Sequence, residues 1–127
     1  MVAFVRAVLT FIHVFTSFVL GFVFSLLRPF NPSNLYYISR FLTFEMFNML
    51  GIEFEKRGID IEKIKTPAVY MSNHQNNLDL LAGGSLICKK TILVGKKSLK
   101  YIPFFGQFFI LSGSFLIDRA NPRAAKE

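Results

Sequence analysis

The sequence predicts an α/β fold that follows an apolar, membrane-anchoring helical region, and two observations carry this prediction. The first 50 residues contain two helix-length apolar runs and only four charged side chains. After Gly51 the apolar runs shorten to strand length and alternate with helix-length segments, which is typical of a sheet built through parallel crossovers. We therefore divide the chain into an anchoring region of two helices, residues 1–50, and an α/β region, residues 51–127.

The first apolar run, residues 7–27, is long enough to cross a bilayer. Its 21 residues include no charged side chain, and His13 is its one weak base; a membrane span needs about 20 residues. Arg6 and Arg28 flank the run and favour neither orientation across the membrane. The run exceeds the apolar part of a signal peptide, and no small-residue cleavage site precedes Arg28, so we do not expect it to be removed.

A second helix is predicted from the turn after Pro29 to about Leu50. Pro29 and Pro32 end the first helix, and residues 31–34 supply turn and N-cap side chains for the next one. Apolar residues dominate this helix, and its narrow polar stripe is formed by Ser39, Arg40, Thr43 and Asn48. Such a helix either lies in the membrane interface or covers the sheet, and the sequence leaves both arrangements open.

Charge and composition narrow the possible partners. The chain holds 16 phenylalanines in 127 residues, and its mean hydropathy of +0.41 is high for a small soluble protein. The net charge is +7, and residues 66–127 carry eight basic against three acidic side chains. A positive field of this kind suits a phosphate-bearing ligand or an anionic bilayer. Nucleic acid is not expected, because no nucleic-acid-binding motif accompanies the basic residues.

In the α/β region, strand-length and helix-length segments alternate. Four strands are predicted at residues 52–55, 68–71, 91–94 and 114–117, and two helices at residues 78–87 and 103–111. In a sheet with parallel crossovers, functional side chains lie at the carboxyl ends of the strands. We therefore expect catalytic side chains in the polar segment that follows residues 68–71.

That segment contains His74 and Asp79. A histidine titrates near neutral pH and can accept a proton from a hydroxyl if a partner fixes its tautomer. Residues five apart do not share a helical face, so we expect His74 in a turn at the end of a strand and Asp79 in the first turn of the next helix. A metal site is not expected, because neither histidine is spaced as a ligand with an acidic cluster or with Cys88, the single cysteine.

Three blocks of sequence carry a family resemblance. They are Asn-His-Gln-Asn-Asn-Leu-Asp at residues 73–79, Gly-Lys-Lys-Ser-Leu with Ile-Pro-Phe-Phe-Gly at residues 95–106, and Gly-Ser-Phe-Leu-Ile-Asp-Arg at residues 113–119. In this order they resemble the 1-acyl-sn-glycerol-3-phosphate acyltransferases of bacteria, within the wider glycerolipid acyltransferase family that has the His-x4-Asp motif. The resemblance implies that family's mixed sheet with flanking helices.

The resemblance also implies a reaction. His74 would act as general base on the free sn-2 hydroxyl of 1-acyl-glycerol 3-phosphate, which attacks an acyl thioester and yields phosphatidic acid, while Asp79 would orient the imidazole. The thioester of CoA or of acyl carrier protein would be the co-substrate, with no bound cofactor or metal. Arg119 would hold the substrate phosphate, Gly113 would allow its close approach, and Lys97 would contact the substrate or simply be solvated. The implied location is the bacterial inner membrane, with the site facing the cytoplasm and membrane lipids as neighbours.

The sequence departs from the family after Arg119. A Glu-Gly-Thr-Arg block and a later Pro-containing block of the family do not occur in these residues. We therefore expect a fragment whose sheet lacks strands and whose activity alone is low. Two alternatives stay open: an acyltransferase that uses glycerol 3-phosphate or another lysolipid as acceptor, and a truncated, non-catalytic membrane protein.

Overall fold

A computed structural model describes residues 1–58, 60–64, 67–76 and 78–118 of the chain. Four α-helices and two strands follow one another in these residues: α1 (Val2–Leu27), α2 (Ser33–Leu50), α3 (Asp79–Leu86), β1 (Val94–Lys96), α4 (Phe105–Leu111) and β2 (Phe115–Ile117). Two short 3-10 helices, Ile61–Lys63 and Lys97–Tyr101, lie between them. The described part of the protein is thus mainly helical, with a small sheet.

Helix α1 begins at Val2, five residues before the predicted apolar run, and ends at Leu27, just before Pro29. Among the described residues it is the helix whose length and composition would let it cross a membrane, with 26 residues and a mean hydropathy of 2.2. Large apolar side chains are exposed along it, including Phe4 at 73% and Phe11 at 70%. A helix with this surface needs an apolar environment, which agrees with the predicted anchoring role.

Helix α2 confirms the second predicted helix and returns along α1. The end of α1 contacts the start of α2, because Asn34 Nδ2 donates to Ser25 Oγ at 3.3 Å. The middle of α1 contacts the middle of α2, because His13 Nε2 lies 3.2 Å from the Leu42 carbonyl oxygen. The two helices are therefore antiparallel. Gly51 ends α2 in the left-handed conformation, with φ of 66°.

Small side chains let α1 approach its neighbours closely. Ser17, Gly21 and Ser25 are spaced by four residues and are the buried residues of α1, so they form one stripe on its surface. A β-carbon at Gly21 would lie 3.0 Å from the Phe108 ring. Small residues at such spacing are typical of helices that pack in membranes.

Helix α4 packs against the middle of α1 through aromatic rings. The Phe104 ring, just before α4, lies 5.6 Å from that of Phe15, and the Phe105 ring lies 4.8 Å from that of Phe18. The buried cluster that joins the helical hairpin to the α/β region consists of Leu35, Ile87 and Phe108, with Phe22, Tyr36, Ile38, Leu93 and Phe105 packed around it. The two regions predicted from the sequence therefore share one hydrophobic core.

Strands β1 and β2 pair in parallel, with Val94 opposite Phe115 and Lys96 opposite Ile117. Helix α4 lies between them in the chain, so this pair has the predicted parallel crossover. The fourth predicted strand is confirmed, because β2 falls within residues 114–117. The third is displaced: β1 begins at Val94, the last residue of the predicted segment 91–94.

The other two predicted strands are wrong for the described residues. Residues 52–55 and 68–71 have no regular secondary structure. The Ile52 N–H is occupied by the Phe47 carbonyl as part of the end of α2, and Val69 and Met71 are 90% and 92% exposed. A strand exists only where a neighbour exchanges backbone hydrogen bonds with it, and none of the described segments does so with residues 68–71. Within the described residues the predicted four-stranded sheet is therefore reduced to two strands.

Candidate active site

His74 and Asp79 meet at the start of α3. Asp79 is the first residue of this helix, and its Oδ2 accepts hydrogen bonds from the backbone N–H of Gln75 at 2.6 Å and of Asn76 at 2.7 Å. These bonds fold the preceding turn back over the carboxylate and bring His74 Nδ1 to 3.3 Å from the same oxygen. Asp79 therefore lies in the first turn of a helix, as predicted, whereas His74 lies in an irregular segment that is neither a strand nor an assigned turn.

The contact determines which nitrogen of His74 carries the proton. An ionised carboxylate only accepts hydrogen bonds, so Nδ1–H of His74 is the donor to Asp79. Nε2 of the neutral ring then keeps its lone pair and is free to accept a proton. The imidazole is 57% exposed and the carboxylate 39% exposed, so a hydroxyl group can reach Nε2 from solvent or from a membrane surface.

The carboxylate of Asp79 is held in its charged form. Its pKa is below the ordinary value, first because the Asn76 backbone N–H donates to it, then because the Gln75 N–H and the His74 side chain do. Asp79 is therefore ionised at neutral pH. A fixed negative charge beside the ring favours the imidazolium that forms when Nε2 takes up a proton.

Lys97 and Asp118 meet at the carboxyl ends of the two strands. Each residue directly follows its strand, β1 or β2, and Lys97 Nζ lies 3.1 Å from Asp118 Oδ2. Both side chains are partly exposed, at 54% and 38%. The described residues thus pair Lys97 with a carboxylate, and its contact with substrate stays a prediction. Arg119 lies outside the described residues.

Gly113 lies in the turn between α4 and β2, at the amino end of β2 and so at the opposite end of the sheet from Lys97. Its φ is +78°, and a β-carbon there would lie 3.6 Å from the Phe30 carbonyl oxygen. This backbone conformation by itself favours glycine. The predicted contribution of Gly113 to substrate approach is therefore untested, and its visible role is to form the turn beside the α1–α2 connection.

Comparison with known proteins decides the family. The sequence model of the family described as Acyltransferase matches residues 53–127, which include His74, Asp79 and all three sequence blocks. The chain belongs to the acyltransferase family. No solved structure matches it at a significant level.

Several curated relatives of this acyltransferase-family chain share one name. The protein named 1-acyl-sn-glycerol-3-phosphate acyltransferase from Haemophilus influenzae is 37% identical over 103 residues, which are 81% of this chain and 42% of that protein. The Escherichia coli protein of the same name is 37% identical over 121 residues, which are 91% of this chain and 47% of that protein. A yeast protein of that name, from Saccharomyces cerevisiae, is 36% identical over 77 residues, covering 61% of this chain and 25% of its own length. The chain thus spans about half the length of the bacterial relatives that it matches.

The second family block contains a structural feature that the sequence analysis missed. Phe104 has φ of +62° and ψ of −44°, and the Phe105 N–H bonds to the Pro103 carbonyl at 2.7 Å, which together form a tight, strained γ-turn. The Phe104 side chain is held by rings of α1, at 5.6 Å from Phe15 and 6.0 Å from Phe22. The sequence signal for this contact was the pair Phe104-Phe105 before Gly106, because two large apolar side chains in a loop need an apolar surface to pack against.

A cavity of about 680 Å³ lies elsewhere, between α2 and the segment before α3. Its lining includes Arg40, Phe54, Lys56 and Leu86, and neither His74 nor Asp79. Lys56 is already engaged, because its Nζ donates to the Ser85 carbonyl at 3.2 Å. This cavity therefore does not enlarge the His74–Asp79 site, and no group of side chains suited to a metal ion occurs in the described residues.

Proposed function

We propose that this protein is a lysophosphatidate acyltransferase, which transfers a fatty acyl group from a thioester to the sn-2 hydroxyl of 1-acyl-glycerol 3-phosphate and yields phosphatidic acid. The observation that carries the proposal is the His74–Asp79 contact of 3.3 Å, which leaves Nε2 as a base within the family-matched region. The names of the bacterial relatives support the choice of acceptor. In this proposal residues 1–50 anchor the protein and residues 51–127 supply the amino-terminal part of the acyltransferase domain.

The reaction proceeds without an acyl-enzyme. Nε2 of His74 takes the proton from the sn-2 hydroxyl as its oxygen attacks the thioester carbonyl carbon, forming the new C–O bond. The tetrahedral intermediate then collapses, the C–S bond breaks, and the leaving thiolate receives the proton from the imidazolium. The Asp79 carboxylate stabilises the imidazolium and keeps Nδ1 protonated throughout.

The substrate phosphate is held by basic residues near the ends of β1 and β2. Arg119 provides a guanidinium that matches phosphate oxygens in a bidentate manner, and Lys97 exchanges its bond to Asp118 for one to phosphate. Gly113 precedes β2, at the opposite end of the strand pair from Lys97, so we do not place it at this phosphate. Both lipid substrates reside in or near a bilayer, so an anchored enzyme meets them at a high effective concentration. The proposed location is the cytoplasmic face of the bacterial inner membrane.

The test is to identify the acylated product in membranes from cells that express the complete gene. The membranes receive an acyl-CoA or acyl carrier protein thioester with lysophosphatidate, glycerol 3-phosphate or lysophosphatidylcholine as acceptor, and lipid products are resolved by mass spectrometry. We expect phosphatidic acid from lysophosphatidate, well above the level in membranes that lack the gene. Acylation of glycerol 3-phosphate or lysophosphatidylcholine alone would overturn the proposed acceptor, and no acylation at all would overturn the activity.

A further inference from the structure

Aromatic rings and cations form a continuous row across the end of the hairpin where α1 stops. Arg28 Cζ lies 5.4 Å from the ring centroid of Phe24, whose ring lies 6.2 Å from that of Tyr37. The Tyr37 ring lies 5.4 Å from that of Tyr36, and Lys89 Nζ lies 5.8 Å from the Tyr36 centroid. We call these five residues the aromatic–cation belt. It joins α1, α2 and the turn that follows α3.

The belt borders exposed apolar surface. Leu26, Leu27 and Phe30 at the same end of the hairpin are 55%, 77% and 68% exposed. Aliphatic and phenylalanine side chains next to tyrosines and cations are typical of the boundary between lipid tails and headgroups. Arg28 and Lys89 are both exposed, and the long stems of arginine and lysine can lie along apolar surface.

The belt cations lack acidic partners within the described residues. Neither Arg28 nor Lys89 forms a salt bridge there, and the next residue, Lys90, is exposed with φ of 65°. Glu45 is the one acidic residue of the first 50, and residues 80–117 contain none. By contrast, Arg57 pairs with Glu55 at 2.8 Å and Lys63 with Asp60 at 3.6 Å. None of the described acidic side chains therefore compensates the positive charge of Arg28 and Lys89.

We propose that the aromatic–cation belt, together with Lys90, binds the headgroups of anionic phospholipids of the bilayer. This lipid site is distinct from the His74–Asp79 pair, because Asp79 begins α3 and Lys89 follows its end, and eight helical residues span roughly 12 Å. The occupant is a membrane lipid, since the cations lie beside apolar surface that requires lipid tails. The belt seats this end of the hairpin at the depth of the headgroups, whether or not the protein transfers acyl groups.

The test compares lipid binding by the full chain in detergent, using native mass spectrometry to measure the affinity for short-chain phosphatidylglycerol and for phosphatidylcholine of the same chain length. We expect a clear preference for phosphatidylglycerol. The double variant Lys89→Gln/Lys90→Gln loses two charges, and each basic residue near an anionic headgroup contributes about 1 kcal/mol, or roughly fivefold. We therefore expect about 25-fold weaker phosphatidylglycerol binding and unchanged phosphatidylcholine binding.

Matched control variants separate lipid binding at the belt from a general effect of lost charge and from binding at the proposed substrate site. The variant Arg57→Gln/Lys63→Gln also removes two exposed cations, but ones that are paired with carboxylates, and we expect it to bind like the wild type. Equal affinity of the wild type for both lipids would overturn the proposal. An equal loss of phosphatidylglycerol affinity in the control variant would also overturn it. So would a loss of phosphatidylglycerol affinity in Lys97→Gln with none in Lys89→Gln/Lys90→Gln, because the lipid would then occupy the proposed substrate site. Circular dichroism checks that every variant keeps its helix content.

Discussion

Replacing Gly106 with alanine tests how closely the start of α4 packs against the 3-10 helix Lys97–Tyr101. A β-carbon at Gly106 would lie 2.5 Å from the Lys100 carbonyl oxygen and 2.7 Å from that of Leu99. These are backbone atoms, which cannot rotate away as a side chain does, so the 3-10 helix would have to move. Overpacking costs about 1–3 kcal/mol, and alanine regains only about 1 kcal/mol of helix propensity. We expect a net loss of about 1 kcal/mol, with an upper limit of about 2 kcal/mol.

Gly83→Ala is the matched control for this substitution. Gly83 lies inside α3, and a β-carbon there would meet nothing within 4 Å, so alanine should stabilise the protein by up to about 1 kcal/mol. The assay is unfolding of the detergent-solubilised chain, followed by the helical signal in far-ultraviolet circular dichroism. Close packing at Gly106 is refuted if Gly106→Ala is at least as stable as the wild type, or if both substitutions change the free energy of unfolding alike.

Three further predictions concern the candidate site and the hairpin. Asp79→Asn should lower the turnover number by about 10²-fold or more with little change in KM, because the amide no longer stabilises the imidazolium; steady-state kinetics of acyl transfer would check this. The pKa of Asp79 is lowered in the folded protein, so the stability that its carboxylate gives to the turn is complete above pH 3.8, the ordinary pKa, and is lost as the pH falls through the lowered pKa. The NMR chemical shift of the Asp79 carboxyl carbon should therefore titrate with a midpoint below pH 3.8. A midpoint above 3.8 would contradict the hydrogen bonds from Gln75 and Asn76. Asn34→Leu removes the donors to Ser25 Oγ and, at 2.7 Å, to the Arg28 carbonyl, so it should cost about 1–3 kcal/mol of stability; denaturation in detergent measures this, and an unchanged midpoint would show that these hydrogen bonds contribute nothing.

Local signals made the helices predictable. Pro29 and Pro32 stop α1 and precede α2, and Gly51 supplies the left-handed residue that ends α2. Such effects depend on residues within one turn of the helix end, so the sequence alone contains them. The same holds for Asp79, whose hydrogen bonds to Gln75 and Asn76 are confined to a few residues. The geometry of the His74–Asp79 contact was therefore within reach of sequence reasoning.

Long-range contacts account for what could not be predicted. Residues 68–71 have the composition of a buried strand, yet a strand forms only with a neighbour, and composition does not name the neighbour. Phe104 contacts Phe15 across most of the chain length, and Lys97 pairs with Asp118 through the register of β1 and β2. No local pattern contains these pairings. The role of Arg119 rests on family resemblance alone, because this residue lies outside the described part of the chain.

The role of His74 as general base is tested most directly by the rate of acyl transfer to lysophosphatidate, measured for the wild type and for His74→Ala at equal amounts of protein in membranes. His13→Gln is the matched control, since His13 is the other histidine of the chain and lies in α1, where its ring contacts the Leu42 carbonyl. We predict a loss of about 10²- to 10⁴-fold for His74→Ala and a rate close to that of the wild type for His13→Gln. An undiminished rate in His74→Ala would contradict the central claim that this histidine is the general base.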